Sequence, residues 1–374
     1  EGKMNLNYAC KKSEKEIFTL AEKLAAKGEI AFKENAIIHG DNFYVLAMLL
    51  KCGYKGKIDL VYIDPPFSTK LDFVVSEERV STISRPKDGV IAYSDKLQDE
   101  EYIEYIRERA ILLRELLSEK GSLYFHIDTK IGHYIKVMLD EVFGEKNFVN
   151  DITRKKSNPK NFFRKAYGNE KDVVYFYAKR KGKHIWNDIR EKFSDEELAE
   201  KYDKIDERGR RYNTVPIHAP GESRGATGGL WKGMLPPMGR HWRTDPAELT
   251  RLDEQGLIEW SKNGNPRLKK FADEHCGKKI QDIWENFKDP AYPDYPTQKN
   301  EAMLDLIVRQ SSNKDSIILD AFAGSGTTLL AAFNNDRRFI GIDKEEYACA
   351  VMKEKLTNKE LFEKDIAYID LKNK

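Results

Sequence analysis

Cysteine is scarce in this 374-residue chain: Cys10, Cys52, Cys276 and Cys349 lie far apart and never form a Cys-x-x-Cys pair. That spacing gives no sign of a zinc site, of any other metal centre or of a disulfide framework, and a reducing cytoplasm is the expected location. Long apolar runs are missing too. No stretch approaches the ~18 to 20 apolar residues of a membrane helix, and the first residues lack a signal-peptide pattern. No Gly-Lys-Ser or Gly-Lys-Thr triplet occurs, which disfavours a nucleotide-triphosphate loop. Internal repeats and low-complexity tracts are absent.

Charge is nearly balanced overall, 64 Lys and Arg against 62 Asp and Glu, but it is unevenly placed. Residues 151–290 hold 30 cations against 23 anions, a surplus of seven, and the remainder holds a deficit of five. All five tryptophans (Trp186, Trp231, Trp242, Trp260, Trp284) fall in the same span. Cations among aromatics are what a phosphate backbone with stackable bases attracts. A solvated surface over an aromatic core has the same composition.

Apolar patterning predicts helices over 13–27, 43–51, 99–119, 131–143, 301–311, 327–335 and 345–356, and strands over 36–39, 58–63, 122–127, 172–178, 316–321 and 338–342. Strand and helix alternate at both ends of the chain, so one α/β layered domain assembled from both ends is expected. Between 180 and 290 periodicity is weak, and an irregular insertion is the natural reading. The expected division is 1–150 and 291–374 as the two parts of the α/β domain, with 151–290 inserted between them.

Two short motifs carry chemistry. Ser316 to Asp320 is followed by Ala321-Phe322-Ala323-Gly324-Ser325-Gly326-Thr327-Thr328. Glycines after a strand and before a helix allow a tight turn and close backbone approach to a ligand. The unpaired N–H groups of the helix N-terminus suit a carboxylate. The next strand ends at Asp343, placed to accept the hydroxyls of a ribose. A plain strand–helix turn with a surface acid would look similar. The second motif, Asp64-Pro65-Pro66-Phe67, closes the 58–63 strand. Two prolines fix φ and remove two N–H donors, leaving a rigid ledge of acceptors, the Asp64 carboxylate and the Pro65 carbonyl, beside a flat ring. An aromatic amino group wants two acceptors and a stacking face. A rigid strand-ending turn is the bland alternative.

The tetrapeptide, the Phe-Ala-Gly-Ser-Gly loop and their order resemble the β-class amino-DNA methyltransferases, in which the catalytic motif precedes a target-recognition region and the cofactor loop comes last. Gly40-Asp41-Asn42, Gly121 to Asp128, Phe148 to Lys179, Tyr295-Pro296-Thr297-Gln298-Lys299 and Pro236 to Arg243 extend the resemblance over about residues 30–357. It implies a Rossmann-like methyltransferase sheet with helices on both faces, permuted motif order and an inserted target-recognition region. It implies methyl transfer from S-adenosylmethionine to N6 of a flipped adenine, with N4 of cytosine as the alternative and a catalytically inactive DNA-binding relative as a further one. Ser in place of Asp64 tends to mark the cytosine enzymes. By the same resemblance Asp64, Pro65, Pro66 and Phe67 are catalytic, and Asp64 also borders the cofactor. Phe322 to Thr328 surround the methionine end of the cofactor with Thr297 and Lys299 nearby, Asp343 holds its ribose, and Asp41 and Asn42 border its adenine. Arg154, Lys155, Lys156, Lys160, Arg164 and Lys165 form a basic run suited to phosphates, and Arg240, His241, Trp242 and Arg243 suit base edges. The implied partner is double-stranded DNA, with room for a cognate restriction endonuclease and a homodimer, and none for a membrane.

Overall fold

In the computed structural model, described over residues 5–66, 72–76, 79–80, 90–94, 99–159, 165–274, 277–291, 298–357 and 366–371, the chain divides into two compact units, residues 1–189 with 281–374, and residues 190–280. The first is built on a nine-stranded sheet. Its strands in chain order are β1 (Asn35–His39), β2 (Ile58–Ile63), β3 (Leu117–Ile127), β4 (Phe148–Lys155), β5 (Lys171–Ala178), β6 (Ile283–Trp284), β7 (Ile317–Asp320), β8 (Arg338–Asp343) and β9 (Ile366–Asp370). Across the sheet they run β6-β4-β5-β3-β2-β7-β8-β1-β9. Pairing is parallel everywhere except around β5, which is antiparallel to both β3 and β4.

The central strands are buried along their whole length: all of β1 and β7, and five of the six residues of β2. Such strands need apolar residues on both faces, and Ala-Ile-Ile, Leu-Val-Tyr-Ile and Ile-Ile-Leu supply them. Helices cover each face. On one side α1 (Glu14–Ala25), α2 (Asn42–Leu49), α3 (Asp99–Leu116) and α4 (Gly132–Phe143) pack in succession. On the other, α5 (Glu301–Ser311) packs on α6 (Thr327–Asn334), and α6 on α7 (Glu346–Thr357). A Ser13–Glu16 capping box starts α1, which buries Ile17, Ala21 and Ala25 at four-residue spacing. No helix among the described residues is long and apolar enough to cross a membrane.

The order of the strands fixes where a ligand can sit. From β2 the chain crosses through α3 to β3 on one side, and from β7 it crosses through α6 to β8 on the other. Chain direction therefore diverges between β2 and β7, and the carboxyl ends at such a switch point flank an open crevice. Asp64 and the glycine loop leave the sheet at these two ends.

The expected boundaries of the insertion need correction. Residues 151–178 form β4 and β5 of the main sheet, and the second unit begins only at Arg190 and ends at Ile280. That unit is also more regular than expected. It holds a four-stranded antiparallel sheet (204–205, 211–216, 266–271, 258–260) and helices Asp195–Lys201 and Pro246–Glu254. Its short strands lie below the length at which periodicity is readable.

Two expected DNA contacts are instead structural. Arg154 is fully buried: its Nε donates to the Phe287 carbonyl at 2.8 Å, and its guanidinium pairs with Asp289 and, at 3.7 Å, with Asp172. Trp242 is 3 % exposed, packs with Trp231, Ile217, Leu249 and Ile258, and donates its indole N–H to the Gly229 carbonyl at 2.8 Å. Beside Arg154, Lys155 faces Glu170 at 3.6 Å and Lys156 faces Asp172 at 2.7 Å. Arg154→Ala strands two carboxylates and is expected to destabilise the first unit by about 3–5 kcal/mol, whereas Lys155→Ala, at a surface pair, changes stability by less than about 1 kcal/mol. Urea unfolding of both variants is the measurement, and equal small effects would return Arg154 to the surface.

Candidate active site

Each parallel strand delivers its next residues to the same edge of the sheet. Asp64, Pro65 and Pro66 follow β2, Ala321 to Ser325 with Thr327 and Thr328 follow β7, Asp343 ends β8 with Lys344 and Glu345 after it, and Asn42 opens α2 after β1. They line a cleft of about 890 Å³, open solvent at its mouth included, with Tyr62, Tyr105, Lys299, Leu304 and Asp320 completing the wall.

The glycine loop is shaped by φ angles of +49° at Gly324 and +74° at Gly326. A Cβ on Gly326 would lie 2.7 Å from the Met352 side chain, so side chains are excluded there. Gly326 is the cap residue of α6, and no side chain caps the first N–H groups of that helix. Asp343 stitches this loop to the end of β8: its carboxylate accepts from the Gly324 N–H and the Glu345 N–H, both at 2.9 Å. Burial raises its pKa, partly opposed by those two bonds.

The other wall joins Asn42, expected from the sequence, to two residues the sequence did not reveal, Arg109 and Tyr105. Asn42 donates to the Ala321 carbonyl at 2.8 Å and accepts from Arg109, and Arg109 reaches Asp41 at 3.2 Å. The Arg109 guanidinium lies 3.4 Å from the centre of the Tyr105 ring, which meets Phe322 edge-on at 6.3 Å. Arg109 and Tyr105 sit one helical turn apart on α3, whose apolar periodicity signals only a core helix. Asp41 itself caps α2 through the Tyr44 N–H at 3.2 Å and does not line the cleft.

At the β2 end, Asp64 Oδ2 accepts from Lys299 Nζ at 2.6 Å. Asp64 Oδ1 is buried and has no hydrogen-bond partner among the described residues. His126 Nδ1 stands 3.9 Å from it. His126 is fully buried on β3, with Tyr62 Oη 2.8 Å from Nδ1 and Asp172 3.4 Å from Nε2. With the Nε2 proton directed at Asp172, Nδ1 accepts from the Tyr62 hydroxyl. Burial lowers the imidazole pKa and outweighs the nearby carboxylates. Burial works to raise Asp172, but its bond to His126 and the charges of His126, Lys299 and Lys156 hold it well below the carboxylate range. Lys299 is nearly buried; desolvation alone would lower its pKa, yet Asp64, Asp289 and Asp172 raise it. Lys299 is thus the partner of Asp64, a contact the resemblance did not imply. Phe67, Lys160, Arg164 and Thr297 lie outside the described residues, and Lys165 is exposed. Arg240, His241 and Arg243 belong to the second unit, Arg240 and Arg243 being exposed.

The site therefore joins a glycine loop that opens a helix, an aromatic pair, several carboxylates and a carboxylate oxygen awaiting a donor. These groups fit S-adenosylmethionine: the α6 N-terminus for its carboxylate, Phe322 and Tyr105 for its purine, and the acids for its hydroxyls and positive charge.

Such a site on a parallel sheet of this order defines a cofactor-dependent methyltransferase. Residues 58–354 match the DNA methylase model of N6 and N4 methyltransferases, and the chain belongs to that family, which uses S-adenosylmethionine. It is 40 % identical over 358 residues to the type II methyltransferase M.EcaI of Enterobacter cloacae, covering 94 % of this chain and 76 % of that protein. It is 25 % identical to the StyLTI Mod subunit of a type III restriction-modification enzyme of Salmonella typhimurium, covering 79 % of this chain and 49 % of the subunit, so it spans about half the length of that relative. Among solved structures, the M1.HpyAVI–SAM complex aligns with a TM-score of 0.45 at 19 % identity, over 86 % of this chain and all of that one.

Asp320, at the end of β7, gives a pH test of this geometry. Burial, with the charges of Asp64 and Asp343, pushes its pKa up to about 7 against bonds from Thr328 and the Phe322 N–H. Between about pH 4, the ordinary carboxylate value, and pH 7 the folded state then binds a proton that the unfolded state lacks, so this group's contribution to stability falls as pH rises. Asp320→Asn is expected to flatten the fall in Tm between pH 4 and 7 and to be relatively more stable at pH 8. Parallel Tm profiles for the variant and the wild type would show Asp320 ionised at its ordinary pKa.

Proposed function

We propose that this DNA methyltransferase methylates N6 of an adenine flipped out of double-stranded DNA at a specific sequence. The observation that carries this reading is the split Asp64 carboxylate: Lys299 holds Oδ2, and Oδ1 lies buried without a partner among the described residues. A buried acceptor left unmade is costly, and an exocyclic amino group supplies the missing donor.

The amino nitrogen of adenine is a poor nucleophile because its lone pair is delocalised into the ring. Asp64 Oδ1 accepts one N–H and the Pro65 carbonyl the other, which favours a tetrahedral nitrogen with its lone pair free. The bound cofactor supplies an electrophilic methyl group on a sulfonium. Holding both reactants at one sheet edge contributes much of the rate, and Asp64 stabilises the positive charge that develops on nitrogen. Asp64 Oδ1 then takes the proton that N6 loses. Phe322 to Thr328, Asp343, Tyr105 and Asn42 hold the cofactor. Phe67 supplies the stacking face implied by the resemblance, offsetting part of the few kcal/mol, roughly, that extruding the base costs. Asp64 supports adenine over cytosine N4. The names of the type II and type III relatives support a restriction endonuclease as partner.

Modification-sensitive sequencing of DNA from cells expressing the chain tests base and sequence together; N4-methylcytosine would overturn the adenine assignment. In single-turnover transfer, Asp64→Ala is expected to lose activity while retaining DNA binding, and a rate within about tenfold of wild type, ~1.4 kcal/mol in the barrier, would remove Asp64 from the chemistry. Lys299→Met is expected to slow single turnovers at saturating S-adenosylmethionine by about tenfold or more with little change in cofactor affinity. A loss confined to cofactor affinity would place Lys299 on the cofactor instead.

A further inference from the structure

In the second unit, the segment 217–243 is a hairpin in which strand 218–220 pairs with 240–242, and its long loop carries a rigid apolar tip. Leu235 is 64 % exposed and Met238 100 %, with Leu230 at 63 % nearby in the chain. Three exposed apolar side chains within nine residues of one connecting loop offer contact area to a partner. The tip is held still. Pro236 and Pro237 fix two φ angles, the Arg240 N–H closes a turn onto the Pro237 carbonyl at 2.9 Å, and the Gly221 N–H ties the base of the loop to the Gly239 carbonyl at 2.9 Å. Behind it, Trp231 and Trp242 are buried and donate to Thr250 Oγ1 and the Gly229 carbonyl at 3.1 and 2.8 Å.

The charge around the tip selects the partner. Residues 190–280 are close to neutral, with 18 Lys and Arg against 16 Asp and Glu. Within 217–243 lie Arg224, Arg240 and Arg243, besides Lys232, which pairs with Asp253, and the imidazoles of His218 and His241, against Glu222 alone. Burial and the neighbouring Arg240 and Arg243 lower the pKa of His218, so the cationic field is felt there. A rigid apolar tip set among cations matches a polyanion with an apolar interior, which is duplex DNA with its stacked bases. Proteins that distort DNA use Leu, Met and Pro as wedges between base steps in this way.

We infer that Leu235 and Met238, carried on the Pro236–Pro237 turn, form a wedge that enters the base stack and holds open the gap left by the extruded target base. This rests on the reading of the protein as a methyltransferase of flipped bases. A wedge contributes where a base must be unpaired and unstacked, and contributes little where that cost has been removed beforehand. The experiment compares the Leu235→Ala/Met238→Ala double variant with wild type, and with Ile205→Ala, which removes another exposed apolar side chain of the same unit. The substrates are synthetic duplexes of the sequence found methylated in expressing cells, with the target base either normally paired or opposite an abasic site. Expected is a fall in kcat/KM of about tenfold or more on the paired duplex, recovering to within about threefold of wild type on the abasic one, with Ile205→Ala unaffected on both. An equal loss on the two duplexes would make the tip a general DNA contact, and unchanged kinetics on both would give it to a protein partner; either overturns the wedge. A cytosine target would change the base assignment and leave this comparison valid, whereas no methylation by wild type would overturn the parent reading as well.

Discussion

Everything at the candidate site depends on the pairing of β2 with β7. Leu60 lies opposite Ile318 and Tyr62 opposite Asp320 in a parallel ladder that joins segments more than 250 residues apart. Because the strands are parallel, their carboxyl ends coincide, and the Asp64 ledge and the glycine loop emerge side by side. A shift of one residue in either strand would turn its core side chains to the opposite face, and with both strands buried on both faces the register has little freedom. The closing of the loop between them, costly in entropy but only logarithmically so, is what allows a whole second unit to be placed in the interval.

That convergence has an electrostatic consequence. Asp64, Asp320, Asp343 and Glu345 all reach one cleft, with Lys299 and Lys344 as the cations on its wall. Burial raises the pKa values of Asp320 and Asp343, and like charges gathered in the crevice add to it, Asp64 and Asp343 on Asp320 and Glu345 on Asp343. A cationic ligand relieves such crowding and a phosphate-bearing one aggravates it. The acidic strand ends therefore separate this site from dinucleotide sites with a similar glycine loop, by a criterion independent of the loop itself.

Much of this was legible in the residues. The short apolar runs, the two prolines after Asp64 and the glycines before Thr327 all act locally, so a linear reading finds them. Arg109, Tyr105, His126 and Asp172 escaped because their roles exist only through partners: His126 meets Asp172 across the β3–β5 ladder, and Arg109 meets Asn42 across 67 positions. Arg154 is the instructive case. Read as a charge run it belongs with Lys155 and Lys156; read as a strand, it shares a face with Ile152 by the two-residue period, and that face is buried. Its opposite residue in the ladder is Asp172.

The same residues show why charge counted along a chain misplaces the surface that meets DNA. The surplus in 151–290 resides in 151–189, with 11 Lys and Arg against 4 Asp and Glu, in the first unit rather than in the second. Four of those cations are answered by carboxylates, partly from outside that segment: Arg154 by Asp172 and Asp289, Lys155 by Glu170, Lys156 by Asp172, Arg180 by Glu119. A cation already paired with a carboxylate releases fewer counterions on meeting a phosphate. In the nearly neutral second unit, by contrast, the 217–243 hairpin holds four of the 18 cations and only one of the 16 acids, Glu222. The field that a polyanion meets is set by which charges the fold leaves unanswered, and on that criterion a segment with a surplus of two can present a sharper positive surface than one with a surplus of seven.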